Sequence, residues 1–166
     1  MNMKNRVAYF GVFIALALIF SYIESLIPIM VLIPIPGIKL GLANLIVIIA
    51  LYKLGTRDAY ILSVARVILA GFIFGNMFSI VYSLAGGLLS LTVMALLKKT
   101  DHFSIMGISV VGGVMHNVGQ IIVAILLLET VSIAYYLPVL LISGLITGLL
   151  IGIIANESLK RLKFLE

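Results

Sequence analysis

Long apolar runs, separated by short polar or glycine-containing segments, fill most of this chain. A helix that crosses a bilayer needs about 20 predominantly apolar residues, so the runs predict six membrane-spanning helices in a single membrane domain over residues 1–166. The predicted fold class is therefore an all-α integral membrane protein, a bundle of six transmembrane helices. The second span is short for a full crossing, and the fifth is long enough to tilt. The spans lie at about 6–27, 39–54, 56–74, 77–97, 103–128 and 133–157.

Basic residues separate the predicted spans in pairs. Nine of the eleven Lys and Arg residues fall into four clusters: Lys4/Arg6, Lys53/Arg57, Lys98/Lys99 and Lys160/Arg161/Lys163. Positive side chains near the ends of spans are retained on the cytoplasmic side, so all four clusters should face one compartment. We therefore expect a multi-pass protein of the cell membrane with both termini in the cytoplasm.

Composition excludes a sizeable soluble domain and several classes of function. The mean hydropathy is +1.32, and only 10% of residues are charged, against about 25% in soluble proteins. There is no cysteine, which excludes disulfides, thiolate metal sites and cysteine nucleophiles. The net charge of +5 would fit nucleic acid, but clusters that flank spans are better explained by anionic lipid headgroups. No nucleic-acid partner is expected.

The segment at about 29–39 follows Pro28 and contains Pro34, Pro36 and Gly37 among apolar residues. A helix cannot continue through that spacing, because each proline removes a hydrogen-bond donor and crowds the preceding turn. The segment is nevertheless too apolar for an ordinary solvent loop. It is either an outer loop that folds back on the bundle as a lid or a packed interfacial connection with no gating role.

Polar residues inside the apolar runs predict a cavity in the outer half of the bundle. Arg66 lies near the middle of the third span, where a charge costs about 3 kcal/mol on insertion scales and usually faces the bundle interior. It either forms a structural pair, with Glu24 as one candidate, or binds an anionic group. His116 and Gln120 are four residues apart and share a helix face, with Asn117 about 100° round the helix. A lone histidine is more often a satisfied core residue, but this cluster favours a binding site.

We predict a pocket that is open to the outside rather than a polar pathway across the membrane. Lys39, Arg66 and His116 would form a positive region for an anionic or strongly polar head, and apolar walls would take a ring or chain. No metal-ligand spacing is present, and no cofactor is expected. The predicted substrate-binding residues are Lys39, Asn44, Arg66, Asn76, Tyr82, His116, Asn117 and Gln120.

Small residues on two spans predict close helix contacts, which drive association in membranes. Gly144, Gly148 and Gly152 are spaced by four and share one face of the sixth span. We interpret this stripe as packing within the chain. Ala8, Gly11 and Ala15 form a second small face on the first span, for which packing within the chain and contact with a partner both stay open.

Several segments carry a resemblance that covers nearly the whole chain. They are Pro36-Gly-Ile-Lys-Leu-Gly-Leu-Ala-Asn44, Ala50-Leu-Tyr52, Arg66, Phe74-Gly-Asn76, Tyr82-Ser-Leu-Ala-Gly-Gly87 and His116-Asn-Val-Gly-Gln120. The chain resembles the Gx transporter family, also described as heptaprenyl diphosphate synthase component I. That family in turn resembles the substrate-binding S components of energy-coupling factor (ECF) vitamin transporters.

The resemblance implies six helices with both termini inside and a substrate site near the outer surface, beneath the first loop. It implies that Ala8, Gly11 and Ala15 contact an ECF-type membrane coupling subunit, which works with an ATPase pair. The glycine departs from the alanine pair usual at that position in S components.

Three functional interpretations follow, and none is enzymatic. The first is an S component-like subunit for uptake of a small vitamin- or cofactor-precursor-like molecule. The alternative is a non-catalytic membrane accessory subunit of heptaprenyl diphosphate or isoprenoid synthesis, and a third class is a purely structural membrane partner. Catalysis of prenyl transfer by the familiar helical enzymes needs aspartate-rich motifs that hold magnesium against diphosphate. Asp58 and Asp101 are single, and no Walker loop is present.

Overall fold

A computed structural model describes residues 3–27 and 41–163 of the chain, with side chains described for 6–27 and 41–162. Lys39 and the proline-containing segment predicted as a lid or a packed connection lie outside the described residues. A 3₁₀ helix, Val131–Tyr136, precedes the last α-helix. The described α-helices are α1 (Met3–Leu26), α2 (Leu42–Lys53), α3 (Thr56–Phe74), α4 (Met77–Lys99), α5 (Ile105–Leu128) and α6 (Leu137–Lys163).

The short turns between the helices follow from glycines and capping side chains. Gly55 separates α2 from α3 with φ at 100°, a left-handed backbone angle that glycine adopts without steric cost. Asn76 caps α4 in a capping box, in which its Oδ1 accepts from the Ser79 amide while the Ser79 hydroxyl oxygen accepts from the Asn76 amide. Ser104 caps α5 by accepting from the amide of Gly107. The caps formed by Asn76 and Ser104 satisfy amides that a helix start leaves without partners.

The six α-helices surround a central space. Helix α2 packs against α1, α3 and α6, while α4 connects α3 to α5, and the α5–α6 contact is the most extensive. The largest apolar core lies around α2, from Leu45 to Leu51. The end of α1 meets the start of α2 where Glu24 bonds to Gly41, and this side is called the Gly41 end below. Arg6, Lys53 and Lys98 bind other helices at the opposite, basic end, and Gly41 itself lies beside Ile151, midway along α6.

Glycines allow the close approach of α5 and α6. A Cβ atom on Gly144 would lie 2.7 Å from the carbonyl oxygen of Gly113, and one on Gly148 would lie 2.8 Å from the carbonyl oxygen of Ser109. A Cβ on Gly152 would lie 2.8 Å from the Cα atom of Met106. Only glycine fits at such distances, so the stripe on α6 packs within the chain, as the sequence predicted.

Four described helical segments are long and apolar enough to cross a membrane: Arg6–Leu26, Met77–Lys99, Ile105–Leu128 and Val131–Leu162. Helix α2 has only 12 residues, and α3 carries three charged residues, Arg57, Asp58 and Arg66. The predicted class, an all-helical integral membrane protein, is confirmed. The count of six spans and the location of the termini stay predictions.

Charged residues at the basic end connect helices to one another. Arg6 forms a bidentate ion pair with Asp58 at the start of α3, with contacts of 2.6 and 2.8 Å. Lys98 donates to the carbonyl of Leu51 at 2.6 Å and lies over the Tyr52 ring. A cation there satisfies carbonyl groups that the end of α2 leaves without partners. These basic residues therefore bind other parts of the same chain as well as marking the ends of helices.

Candidate functional site

A cavity of about 560 Å³ lies between the helices, and residues from all six α-helices line it. It reaches the Gly41 end, where Ser25, Ile27 and Gly75 line it, and extends inward to Ser90, Met94 and Ser109. Its volume falls in the range of about 300–1,000 Å³ that is typical of small-molecule sites. Four of the predicted site residues line it together: Asn44, Arg66, His116 and Asn117.

Arg66 is held in the cavity wall by Asn44. Its Nη2 atom donates a hydrogen bond to Asn44 Oδ1 at 2.5 Å, whereas its buried Nε atom has no hydrogen-bond partner among the described residues. Buried polar groups are usually paired, and a charged donor without a partner is costly. The guanidinium group therefore lines the cavity with one buried donor that has no described partner.

Glu24, which the sequence analysis named as a candidate partner for Arg66, forms a different bond in the structure. Its Oε1 atom accepts a hydrogen bond from the Gly41 amide at 2.6 Å, which ties the end of α1 to the start of α2. Gly41 has φ at 71°, in the left-handed region that favours glycine. Glu24 and Arg66 both line the cavity, so a carboxylate and a guanidinium face the same space, although no direct bond joins them among the described side chains.

His116 and Asn117 lie on the α5 side of the cavity, where α5 meets α4 and α6. The backbone of His116 approaches α4 so closely that a Cβ atom on Gly86 would lie 2.7 Å from the His116 carbonyl oxygen. Asn117 Nδ2 donates to the carbonyl of Leu140 on α6 at 2.5 Å. Asn117 therefore crosslinks α5 to α6 while it lines the cavity.

The cavity also contains hydroxyl groups that the sequence prediction did not include. Ser90 donates to the carbonyl of Gly112 and Ser109 to that of Gly148, and both serines are buried. Ser21 and Thr147 donate to carbonyls four residues earlier in their own helices. The sequence does indicate part of this polar lining, because Ser79, Ser83 and Ser90 follow one another at intervals of four and seven residues and so share a face of α4. Their spacing indicates a polar face directed away from lipid.

The remaining predicted site residues lie elsewhere. Asn76 is exposed and serves as the cap of α4, and Tyr82 is buried with its ring stacked on Phe78, outside the cavity lining. Gln120 is fully buried and does not line the cavity. Its Cγ atom lies against Gly86, and neither amide atom of its side chain has a hydrogen-bond partner among the described residues.

The small residues on one face of α1 have a different environment from the glycine stripe of α6. Ala8, Gly11 and Ala15 are all exposed, and a Cβ atom on Gly11 would have no described atom within 4 Å. The opposite side of α1 carries Phe13 and Ala17, which are buried in the core. The three small residues are therefore not used for packing among the described residues.

The fold and cavity define the class of this protein: an all-helical integral membrane protein whose central cavity has mainly apolar walls with a few polar side chains. Among the described residues, no group of three or more His, Cys, Asp or Glu side chains is placed to hold a metal ion. The family model described as heptaprenyl diphosphate synthase component I matches residues 13–158, so the chain belongs to that family. Comparison with curated proteins and with solved structures gives no match.

Proposed function

We propose that this chain is a membrane-embedded subunit that binds a small vitamin- or cofactor-precursor-like molecule in its central cavity for uptake. The observation that supports this most strongly is the cavity itself. It has the volume of a ligand site, it reaches one end of the bundle, and it combines apolar walls with Asn44, Arg66, His116 and Asn117. Ligand sites commonly join an apolar lining to a few polar groups that fix orientation.

Arg66 is the residue that we propose as the main recognition group. Its planar guanidinium suits a carboxylate, which accepts two parallel hydrogen bonds, and it can also donate to a single carbonyl oxygen. The bond to Asn44 fixes one edge of the group, and the buried Nε atom has no described partner. In this proposal Lys39 and His116 add to the positive region, and Asn76, Tyr82 and Gln120 support the site from outside the described lining.

Ligand binding by purified protein tests the proposal. We expect His116→Ala to weaken binding, whereas Leu149→Ala should bind like the parent, because Leu149 is 47% exposed on α6 and lies outside the cavity. The probe is the small-molecule extract of the cells that contain the protein, with retained compounds measured by mass spectrometry. If His116→Ala folds and retains the same compounds as the parent while Leu149→Ala does not, the site lies elsewhere.

A second candidate function is favoured by the family match: a non-catalytic membrane subunit that works with a partner in heptaprenyl diphosphate synthesis. The family description is that of one component of a synthase, and a component implies at least one other chain. Both proposals use the exposed surface of Ala8, Gly11 and Ala15 on α1 as the partner contact, since small residues let another helix approach closely.

Identification of co-purifying proteins distinguishes the two candidates. Recovery of a soluble prenyl synthase subunit supports the accessory function, whereas recovery of a membrane coupling protein with an ATPase pair supports uptake. The variant that tests the contact is Gly11→Leu, which places a bulky side chain on the proposed contact where a Cβ atom meets no described atom of the chain. Loss of the partner in this variant, with folding retained, assigns the contact to α1.

A further inference from the structure

Four hydroxyl groups that line the cavity are already committed as donors. A serine or threonine hydroxyl has one proton and two lone pairs, and a backbone carbonyl can only accept. Ser21, Ser90, Ser109 and Thr147 each donate to a backbone carbonyl at 2.7 to 2.9 Å. With their protons engaged, these four hydroxyls present only lone pairs to the cavity, so they recognise donor groups on a ligand.

The charged groups of the cavity have opposite signs. Glu24 contributes a carboxylate with one oxygen bonded to the Gly41 amide, and Arg66 contributes one guanidinium, itself bonded to Asn44. A carboxylate repels an anion that approaches the same space, and the interaction is strong where water is excluded. Sites for transferred or bound phosphates instead surround them with magnesium and several cationic or amide donors.

The polar groups of the cavity lie at different depths along the bundle. Ser109 precedes His116 on α5 by seven residues, which corresponds to about 10 Å along the helix. Glu24 lies at the Gly41 end, where it accepts from the Gly41 amide, and Arg66 bonds to Asn44, about one helical turn from Gly41. A ligand that meets both regions therefore carries an acceptor group for Arg66 and donor groups for Glu24 and the inner serines.

From this geometry we infer that the cavity takes a neutral or zwitterionic ligand rich in hydrogen-bond donors and excludes polyanions such as diphosphates. The inference rests on the proposed binding function and narrows its ligand class. It also narrows the sequence prediction of a positive region for an anionic or strongly polar head, because Glu24 lines the same cavity as Arg66.

The test uses the purified full-length protein, the small-molecule extract as a probe and inorganic diphosphate as a defined competitor. Thr147→Val removes a lining hydroxyl while it preserves side-chain shape. Thr92→Val is the control, since the Thr92 hydroxyl also donates to the carbonyl four residues earlier. It lies on the exposed side of α4, where it bonds to the Tyr60 hydroxyl of α3 and does not line the cavity. We expect Thr147→Val to weaken binding by about tenfold, the usual effect of losing one buried hydrogen bond, and Thr92→Val to leave it unchanged.

We expect the protein to retain a compound that has no net charge and at least two hydrogen-bond donor groups. Inorganic diphosphate should not displace this compound. A retained polyanion, displacement by diphosphate, or unaltered binding by Thr147→Val would overturn the inference but leave the proposed function intact. If the parent protein retains no compound beyond the background of heat-denatured protein, both the inference and the proposed binding function fail.

Discussion

Replacement of Gly144 by alanine tests the α5–α6 contact that forms one wall of the cavity. The added Cβ atom would lie 2.7 Å from the Gly113 carbonyl oxygen and 2.9 Å from Asn117 Nδ2, where ordinary contacts begin at 3.4 Å. The two helices would have to separate by about 0.7 Å, the difference between 3.4 and 2.7 Å. Because the opposing atoms include backbone, no rotamer change relieves the contact.

The expected cost follows from two opposing effects. Forcing an extra carbon into a packed interface costs about 1–3 kcal/mol, while alanine is favoured over glycine in a helix by about 0.8–1.0 kcal/mol. Gly11→Ala provides the matched control, because it has the same propensity gain with no described atom within 4 Å. The free energies of unfolding of the two variants should therefore differ by about 1–3 kcal/mol, the cost of the added carbon in the packed interface.

Thermal unfolding followed by circular dichroism in detergent measures this difference. On the scale of soluble domains of this length, 1 kcal/mol shifts Tm by about 2–4 °C, so Gly144→Ala should unfold roughly 2–12 °C below Gly11→Ala. Equal midpoints for the two variants would show that α5 and α6 do not approach as described, and the reasoning about this wall of the cavity would fail.

Three further predictions concern the ends of the bundle. Asp58→Asn should lower the thermal stability of the chain, because Asp58 and Arg6 form one ion pair. Adding Arg6→Gln to this variant should cause no further loss. Additive losses in thermal unfolding would contradict the ion pair. Lys99→Cys and Asn76→Cys each place a single cysteine at an exposed position, and the two should react with an impermeant thiol reagent from opposite sides of the membrane. Labelling of Lys99→Cys from outside intact cells would refute cytoplasmic termini. Glu24→Gln keeps an acceptor for the Gly41 amide, whereas Glu24→Ala removes it, so hydrogen exchange at the Gly41 amide should be faster in Glu24→Ala. Equal exchange rates in the two variants would show that Glu24 does not hold the Gly41 amide.

Much of the fold was predictable because membrane helices are long apolar runs with strong local stop signals. Helix α3 begins at Thr56 and ends at Phe74, the residues predicted, since Gly55 and Gly75-Asn76 interrupt it on both sides. Helix α6 extends to Lys163, beyond the predicted end near Glu157, because hydropathy marks where a span leaves the lipid and not where helical hydrogen bonding stops.

The candidate site was less predictable because its bonds join residues that are far apart in the sequence. Arg66 was expected to bind Glu24 or an anion, and the structure pairs it with Asn44, 22 residues away. The buried serines were missed because a serine that donates to a helix carbonyl can face lipid, a neighbouring helix or a cavity. Only the packing of α4, α5 and α6 decides which of these it faces.

The most direct test of the central claim, that the cavity between the helices binds the ligand, is to fill it. Ala70 lines the cavity on α3, so Ala70→Phe should occupy part of its volume, whereas Leu149→Phe enlarges a side chain on the exposed face of α6. Our prediction is that folded Ala70→Phe no longer retains the compound that the parent protein retains, whereas Leu149→Phe still retains it. Equal retention by the two variants, at equal thermal stability, would contradict it.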